Sequence, residues 1–244
     1  MRFQPVAANR VGPLRTDTTS TTKGGAEVAS HDTFEANEVT VSKLTPWAGI
    51  PSAAGENAHG DEIAVRLATP EDAEGIHRLL LTISQETPYL GDWGPGIRLD
   101  QFRAFLAQQH QMVLLVVAVD YQHKICGYGH VINSTVFGLP QAMGHIAQIA
   151  VAVEAAQRRR GLAKRLIRFS VEAAAHAMDV LTVRATIWDS NAASIRAFQQ
   201  AGFVAVAMIP GQFRDDAGGL HGEILMNCDM TEWRMGHGVG RETE

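Results

Sequence analysis

The stretch from Ile149 to Ala177 constrains the fold more than any other part of this chain. Ile149-Ala150-Val151-Ala152-Val153 is a short apolar run of strand length, the end of a predicted strand over 144–153. A loop then reads Arg158-Arg159-Arg160-Gly161-Leu162-Ala163. A helix is predicted over 161–177, with Leu162, Leu166, Phe169 and Ala173 on one stripe. A second strand is predicted over 180–188. Strand, helix and strand in that order make a parallel crossover unit, which closes with one hand and must sit inside a larger sheet.

The rest of the domain can be read around that unit. Ile63, Val65 and Leu67 alternate as a strand does. Thr69-Pro70-Glu71-Asp72 opens a helix, with a Thr cap, Pro in the first turn and acids at the positive dipole end. A loop over 88–96 separates it from a second helix over 99–109. Residues 112–119 and 125–133 form a hairpin around a turn at 121–124. Ser190 or Asn191 caps a helix that stops at Gly202, and strands over 204–208 and 223–230 close the sheet. The predicted order is β-α-α-β-β-β-α-β-α-β-β, a mixed α/β (α+β) domain spanning 61–233. Residues 1–60 are rich in Thr, Ser, Ala and Gly without sustained periodicity, which predicts a disordered extension. The Gly-rich segment 234–244 predicts a flexible tail.

Composition removes several function classes. The chain has 45% hydrophobic residues and a formal net charge of -5, with no basic stripe for nucleic acid. The longest apolar run, Met112 to Val119, is far short of the about 20 residues a bilayer needs. No signal pattern opens the chain, so the cytoplasm is the default location. Cys126 and Cys228 sit apart in apolar runs and read as buried thiols. No metal-ligand spacing occurs.

The chemistry starts at the loop. A helix start leaves about four backbone N–H groups unpaired, at the positive end of the dipole. Small residues at Gly161 and Ala163 let a diphosphate approach that backbone, and Arg158, Arg159 and Arg160 add charge. The spacing is neither that of a P-loop nor that of a dinucleotide-binding strand–turn–helix. By itself the loop could also be a solvated basic turn. A second strand–helix junction, about 28 residues past Gly161, reads Asp189-Ser190-Asn191-Ala192-Ala193-Ser194, with Phe198 and Gly202-Phe203 beyond it.

Together these motifs resemble the GNAT superfamily of acyl-CoA N-acetyltransferases. Val151-x-Val153 with Arg158-x-x-Gly161-x-Ala163 is similar to the family's main cofactor motif. Asn191-x-x-Ser194-x-x-x-Phe198-x-x-x-Gly202-Phe203 is similar to its second. The resemblance implies a mostly antiparallel central sheet with a splayed β-α-β cofactor site and flanking helices, and acetyl-CoA as co-substrate without a metal. It implies that the strand splays at a bulge, where backbone N–H can bond the thioester carbonyl. The backbone of Val151 and Val153 would pair with the pantetheine amides. The N–H groups of Arg159, Arg160, Gly161, Leu162, Ala163 and Lys164 would hold the pyrophosphate. Asn191 and Ser194 would contact the cofactor arm.

The same resemblance makes His145 the candidate general base, since an imidazole titrates near neutral pH. Gln148 could only orient a water. Phe198 stands where many members carry a tyrosine, so the departing thiolate lacks that phenol; Tyr128 or a water are the other donors. Tyr89, Asp92 and Trp93, in the loop between the first two helices, are the candidate acceptor-binding residues, suited to a cationic amine. Phe213 to Asp216 is a second candidate wall, read as a solvated turn. The acceptor expected is a primary amine of a small molecule, an amino acid or a protein N-terminus. The other readings are a non-catalytic acyl-CoA-binding module and an adaptor acting through residues 1–60. A homodimer is left open.

Overall fold

The computed structural model describes residues 53–56, 62–93, 98–107 and 112–237. Eight strands form one sheet: β1 Ala53–Glu56, β2 Glu62–Leu67, β3 Val113–Asp120, β4 Ile125–Asn133, β5 Ile146–Val153, β6 Thr182–Trp188, β7 Val204–Arg214 and β8 Leu220–Asp229. Their spatial order is β1-β2-β3-β4-β5-β6-β8-β7. Every neighbouring pair is antiparallel except β5 and β6. Five helices flank the sheet: α1 Ala73–Glu86, α2 Leu99–Ala107, α3 Leu162–Ala177, α4 Ala192–Gln200 and α5 Met230–His237.

Alternation along the central strands sorts the two faces. Val113, Leu115, Val117 and Val119 of β3, with Tyr128 and Ile132 of β4, pack with Ile76, Leu79, Leu80 and Ile83 of α1 and Phe102 and Leu106 of α2. Leu114 and Val131, one residue out of phase with those sets, pack with Ile167 and Val171 of α3 and with Phe198 of α4. Both faces of β3 and β4 are therefore covered, and nearly every residue in them is buried. Gly127 of β4 lets α3 come close: a Cβ there would lie 2.8 Å from Leu166 Cδ1. Before α1, Thr69 and Asp72 form a capping box across a 3₁₀ turn at Pro70–Asp72. Arg66 adds two bonds to the Asp72 carboxylate, at 2.6 and 2.8 Å.

The domain extends past both expected ends. β1 falls inside the segment expected to be disordered, yet pairs with β2 from Ala53↔Val65 to Glu56↔Glu62. A four-residue edge strand has too little periodicity to be read from sequence. At the other end α5 runs to His237, beyond the expected boundary at 233. Arg234 is only 7% exposed. Its guanidinium donates to the carbonyls of Ala175, Met178 and Val180, at 3.0–3.2 Å. These lie at the carbonyl end of α3, where the helix dipole favours a cation. β7 is longer than expected because it is an edge strand exposed along nearly all its length, and Pro210 is tolerated there. The other expected elements occur in the expected order, and no described helix is long and apolar enough to cross a membrane. Both cysteines are free and buried, and burial pushes each thiol to about 11.

Candidate active site

The site begins where two strands part. β5 pairs with β6 only from Ile146↔Thr182 to Gln148↔Arg184. Beyond that row β5 stays with β4 as far as Val153, while β6 stays with β8 as far as Trp188↔Glu223. A gap therefore opens after Gln148. The β4–β5 ladder shows no register shift, so the bulge expected in β5 is absent. The opening comes from β6 leaving with β8.

Backbone phase decides what faces the gap. Glu154 N–H donates to the Cys126 carbonyl of β4, so even-numbered residues of β5 direct their peptide groups at β4. Odd-numbered ones direct theirs at β6. The His145 carbonyl confirms this phase by accepting from Leu181 and Thr182 N–H. The last bridge, Gln148↔Arg184, occupies Ile149 N–H with the Arg184 carbonyl, so the groups facing the gap that β6 leaves are Ile149 C=O, the peptide N–H and C=O of Val151, and those of Val153. The Val153 carbonyl is already taken by Arg158 Nε at 2.9 Å. Ile149, the first residue past the last pair, was not singled out from sequence because strand phase needs the register.

The gap leads to the start of α3. Gly161 is the N-cap with φ +84°, and no side chain caps the helix. A Cβ there would meet nothing within 4 Å, so backbone angle and open space both suit a bulky anion. Arg159 is also left-handed, with φ 62°. The amides of Leu162, Ala163 and Lys164 are the unpaired first-turn donors. The Leu162 side chain is buried in the core, so only its backbone is available. Arg160 Nη1 lies 3.5 Å from Gln157 Oε1. Arg158 is committed elsewhere: besides Val153 it bonds Glu86 at the end of α1, tying α1 to the loop. Asn191 caps α4 by accepting from Ser194 N–H at 3.2 Å, which brings those two residues together and leaves the Asn191 Nδ2 as a donor. This uncapped start, with its left-handed glycine and basic side chains, fits a diphosphate.

The expected catalytic groups fare differently. His145 is an exposed turn residue ahead of β5, four residues before Ile149 and so roughly 13 Å up the strand. The structure does not bring it to the gap. His130, opposite Ala150 in the β4–β5 ladder, is nearer by row, but burial lowers its pKa to about 4, too weak a base at neutral pH. Tyr128 is fully buried and packs edge-on against Phe102, and burial pushes its phenol well up. Phe198 is 2% exposed and packs edge-on against Phe203 at 5.0 Å. Gln148 stands at the last paired row, its Nε2 3.3 Å from Ser134 Oγ.

An aromatic group stands on the α1/α2 face beyond the gap. Tyr89, in a 3₁₀ turn at Pro88–Trp93, meets Trp188 edge-on at 5.6 Å. Asp92 and Trp93 share that turn, but their side chains lie outside the described residues. Phe213 is not in a solvated turn: it belongs to β7 and stacks on Trp188 at 4.8 Å. His221 of β8 also touches Trp188, at 5.2 Å, and its Nε2 lies 2.8 Å from Asp215 Oδ2. Trp188 and His221 are not singled out by the sequence, and Phe213 reads there as a turn residue, because three strands contribute them.

A sheet splayed at one parallel pair, leading to an uncapped helix start, is the arrangement that the resemblance to an acyltransferase implied. The model of the acetyltransferase (GNAT) family matches residues 79–203, just over half of the 244 residues. This chain belongs to that family and is an acyltransferase enzyme. A search of curated proteins finds no match. Among solved structures, the chain is similar to a GNAT-family acetyltransferase from Streptococcus pneumoniae, with 20% identity over 69% of this chain and 99% of that one, TM-score 0.63. It is similar to yncA, a putative acetyltransferase from Salmonella typhimurium whose structure holds acetyl-CoA, with 20% identity over 69% and 94%, TM-score 0.61. A spermidine N-acetyltransferase SpeG chimera from Vibrio cholerae and hSSAT gives 15% identity over 70% and 97%, TM-score 0.56. These likenesses concern the fold.

Proposed function

We propose that the enzyme transfers the acetyl group of acetyl-CoA to a primary amine by direct attack in a ternary complex. The acceptor is a small molecule, an amino acid or a protein N-terminus. One observation carries this reading: Ile149 C=O and the peptide groups of Val151 and Val153 face a gap that β6 has left, and the gap leads to the uncapped start of α3.

Acetyl-CoA supplies an acyl thioester. Val151, with its N–H and C=O free for strand-like pairing, and Val153, with its N–H, are suited to the pantetheine amides. The amides from Arg159 to Lys164 are suited to the pyrophosphate, and Asn191 Nδ2 and Ser194 to the adjoining arm. In the balanced reaction an amide C–N bond forms and the thioester C–S bond breaks; the amine loses a proton and the sulfur leaves as a thiolate. With His145 distant, the amine proton passes to a water held by Gln148. With Phe198 in the core, the thiolate leaves without a phenol, which a thiol pKa near 8.5 permits.

The test is thiol release from acetyl-CoA by the full chain across a panel of amines, with mass spectrometry of the product. Amine-dependent release with an acetylated amine is the expected result. Release that ignores the amine, or no acetyl-CoA binding in calorimetry, would refute the proposal.

A further inference from the structure

Glu223 is the unusual group on the acceptor side. It lies in β8, opposite Trp188 of β6 and Ile209 of β7. Arg184 and Asn227 fix the face: they are paired across β6 and β8 and bond at 3.0 Å. Trp188 and Glu223 are each four residues along from that pair, so both are on the same face. The contact of His221 with Trp188 agrees, because His221 is two residues from Glu223. Tyr89 reaches this face from the α1–α2 connection.

Glu223 is 8% exposed. Among the described residues its carboxylate has neither an ion pair nor a hydrogen bond, and burial raises its pKa. The side chain is packed while its carboxylate oxygens still reach solvent, so a cation arriving at this face can pair with them. The indole beside it offers a second attraction for a cation. Charge along the gap has a direction. Arg184 marks the closed end, where a like charge favours the neutral, nucleophilic form of an amine. Glu223, with Asp189 and Asp215 nearby, marks the open end. From the first open row to the Glu223 row is three residues, roughly 10 Å.

We propose, resting on the amine-acetylating reading above, that Glu223 and Trp188 form a subsite for a second positive charge on the acceptor, making α,ω-diamines and longer polyamines the preferred substrate class. The reacting nitrogen lies at the gap beside Gln148, and the distal ammonium lies against Glu223.

The experiment compares cadaverine with pentylamine, which differ only in the second charge, in wild type and Glu223→Gln, with acetyl-CoA calorimetry as the control for folding. Wild type should prefer cadaverine at least tenfold in kcat/KM, chiefly through KM. Glu223→Gln should reduce that preference to about twofold, and Glu223→Asp should restore part of it. Equal kcat/KM for the two amines in wild type would overturn the subsite. So would a Glu223→Gln variant that loses kcat equally for both, because Glu223 would then handle the proton. If wild type acetylates neither amine, the amine panel above still decides the proposed function, and cadaverine calorimetry judges the subsite separately. Heat of binding in wild type that Glu223→Gln abolishes supports it; no heat in wild type sinks it.

Discussion

Gly161 holds φ +84° at the head of α3, a conformation costing other residues roughly 1–2 kcal/mol. Gly161→Glu should therefore lower Tm by only a few degrees. It should weaken acetyl-CoA binding at least thirtyfold, because a carboxylate would stand where the diphosphate docks; calorimetry and a thermal melt read the two effects. Glu223 makes the opposite trade. Its raised pKa means that the folded state binds its proton more tightly than the unfolded chain does. Stability is accordingly lost as pH rises from about 4.3, the ordinary Glu value, through the raised one, and the full cost is present above it. Without acceptor at pH 7, Glu223→Gln should raise Tm rather than lower it. The gain should vanish in melts run below about pH 4. His145 gives a third check. As an exposed residue roughly 13 Å from the gap, it should tolerate Ala with kcat changed less than about twofold. A hundredfold loss would return the base to His145.

At the scale of elements, what matters is how neighbours share and part. β5 pairs with β4 from Ala147 to Val153 but with β6 over three rows only, so one parallel contact anchors both the closed sheet and the open site. α3 is held at each end by the tertiary fold. At its start, Arg158 links the loop to β5 and to Glu86 of α1. At its finish, Arg234 of α5 closes off three carbonyls around the helix end. Charge-assisted bonds of this kind contribute about 1.5–3 kcal/mol each, and buried carbonyls left unpaired add to the loss. Arg234→Ala should cost about 3 kcal/mol in urea unfolding. Arg234→Lys should recover only part of that, since one ammonium cannot reproduce the fork of a guanidinium. A chain ending at residue 233 should match the Ala variant, whereas an unchanged midpoint would mean that α5 contributes nothing to the fold.

Across the whole molecule, the sheet is ordered so that its middle is dry and its working edge is open. β3 and β4 are covered on both faces, while β7 at the far edge exposes Val204, Val206 and Met208. The parts proposed to bind the donor lie on one continuous stretch, β5 to α4. The parts that would choose the acceptor come from the α1–α2 connection, β6, β7 and β8. Donor and acceptor recognition should therefore separate under mutation: Trp188→Ala should raise KM for the amine at least tenfold and leave acetyl-CoA affinity within about twofold. A joint loss of both would mean that Trp188 supports the fold rather than the acceptor. Deleting residues 1–52 should likewise leave acetyl-CoA affinity within about twofold, because the groups proposed for the donor lie between β5 and α4; a large loss would place part of the donor site in that segment.

The sequence alone determined whatever depends on local order. The helix stripe of α3, the β-α-β crossover, the glycine at the phosphate turn and the Asn191 cap each lie within a few residues of their own cause, and they were enough to identify the family motifs. Only the tertiary structure decided the rest. Which peptide groups of β5 face the gap is a matter of register with β4 and β6. Arg234 joins the core only because the carbonyls at the end of α3 lie beside it. Trp188, Phe213, His221 and Glu223 stand together because β6, β8 and β7 pair in that order, bringing side chains from three strands to one face. A short-range pattern can specify a turn or a helix; it holds no information on which distant strand will lie 5 Å away.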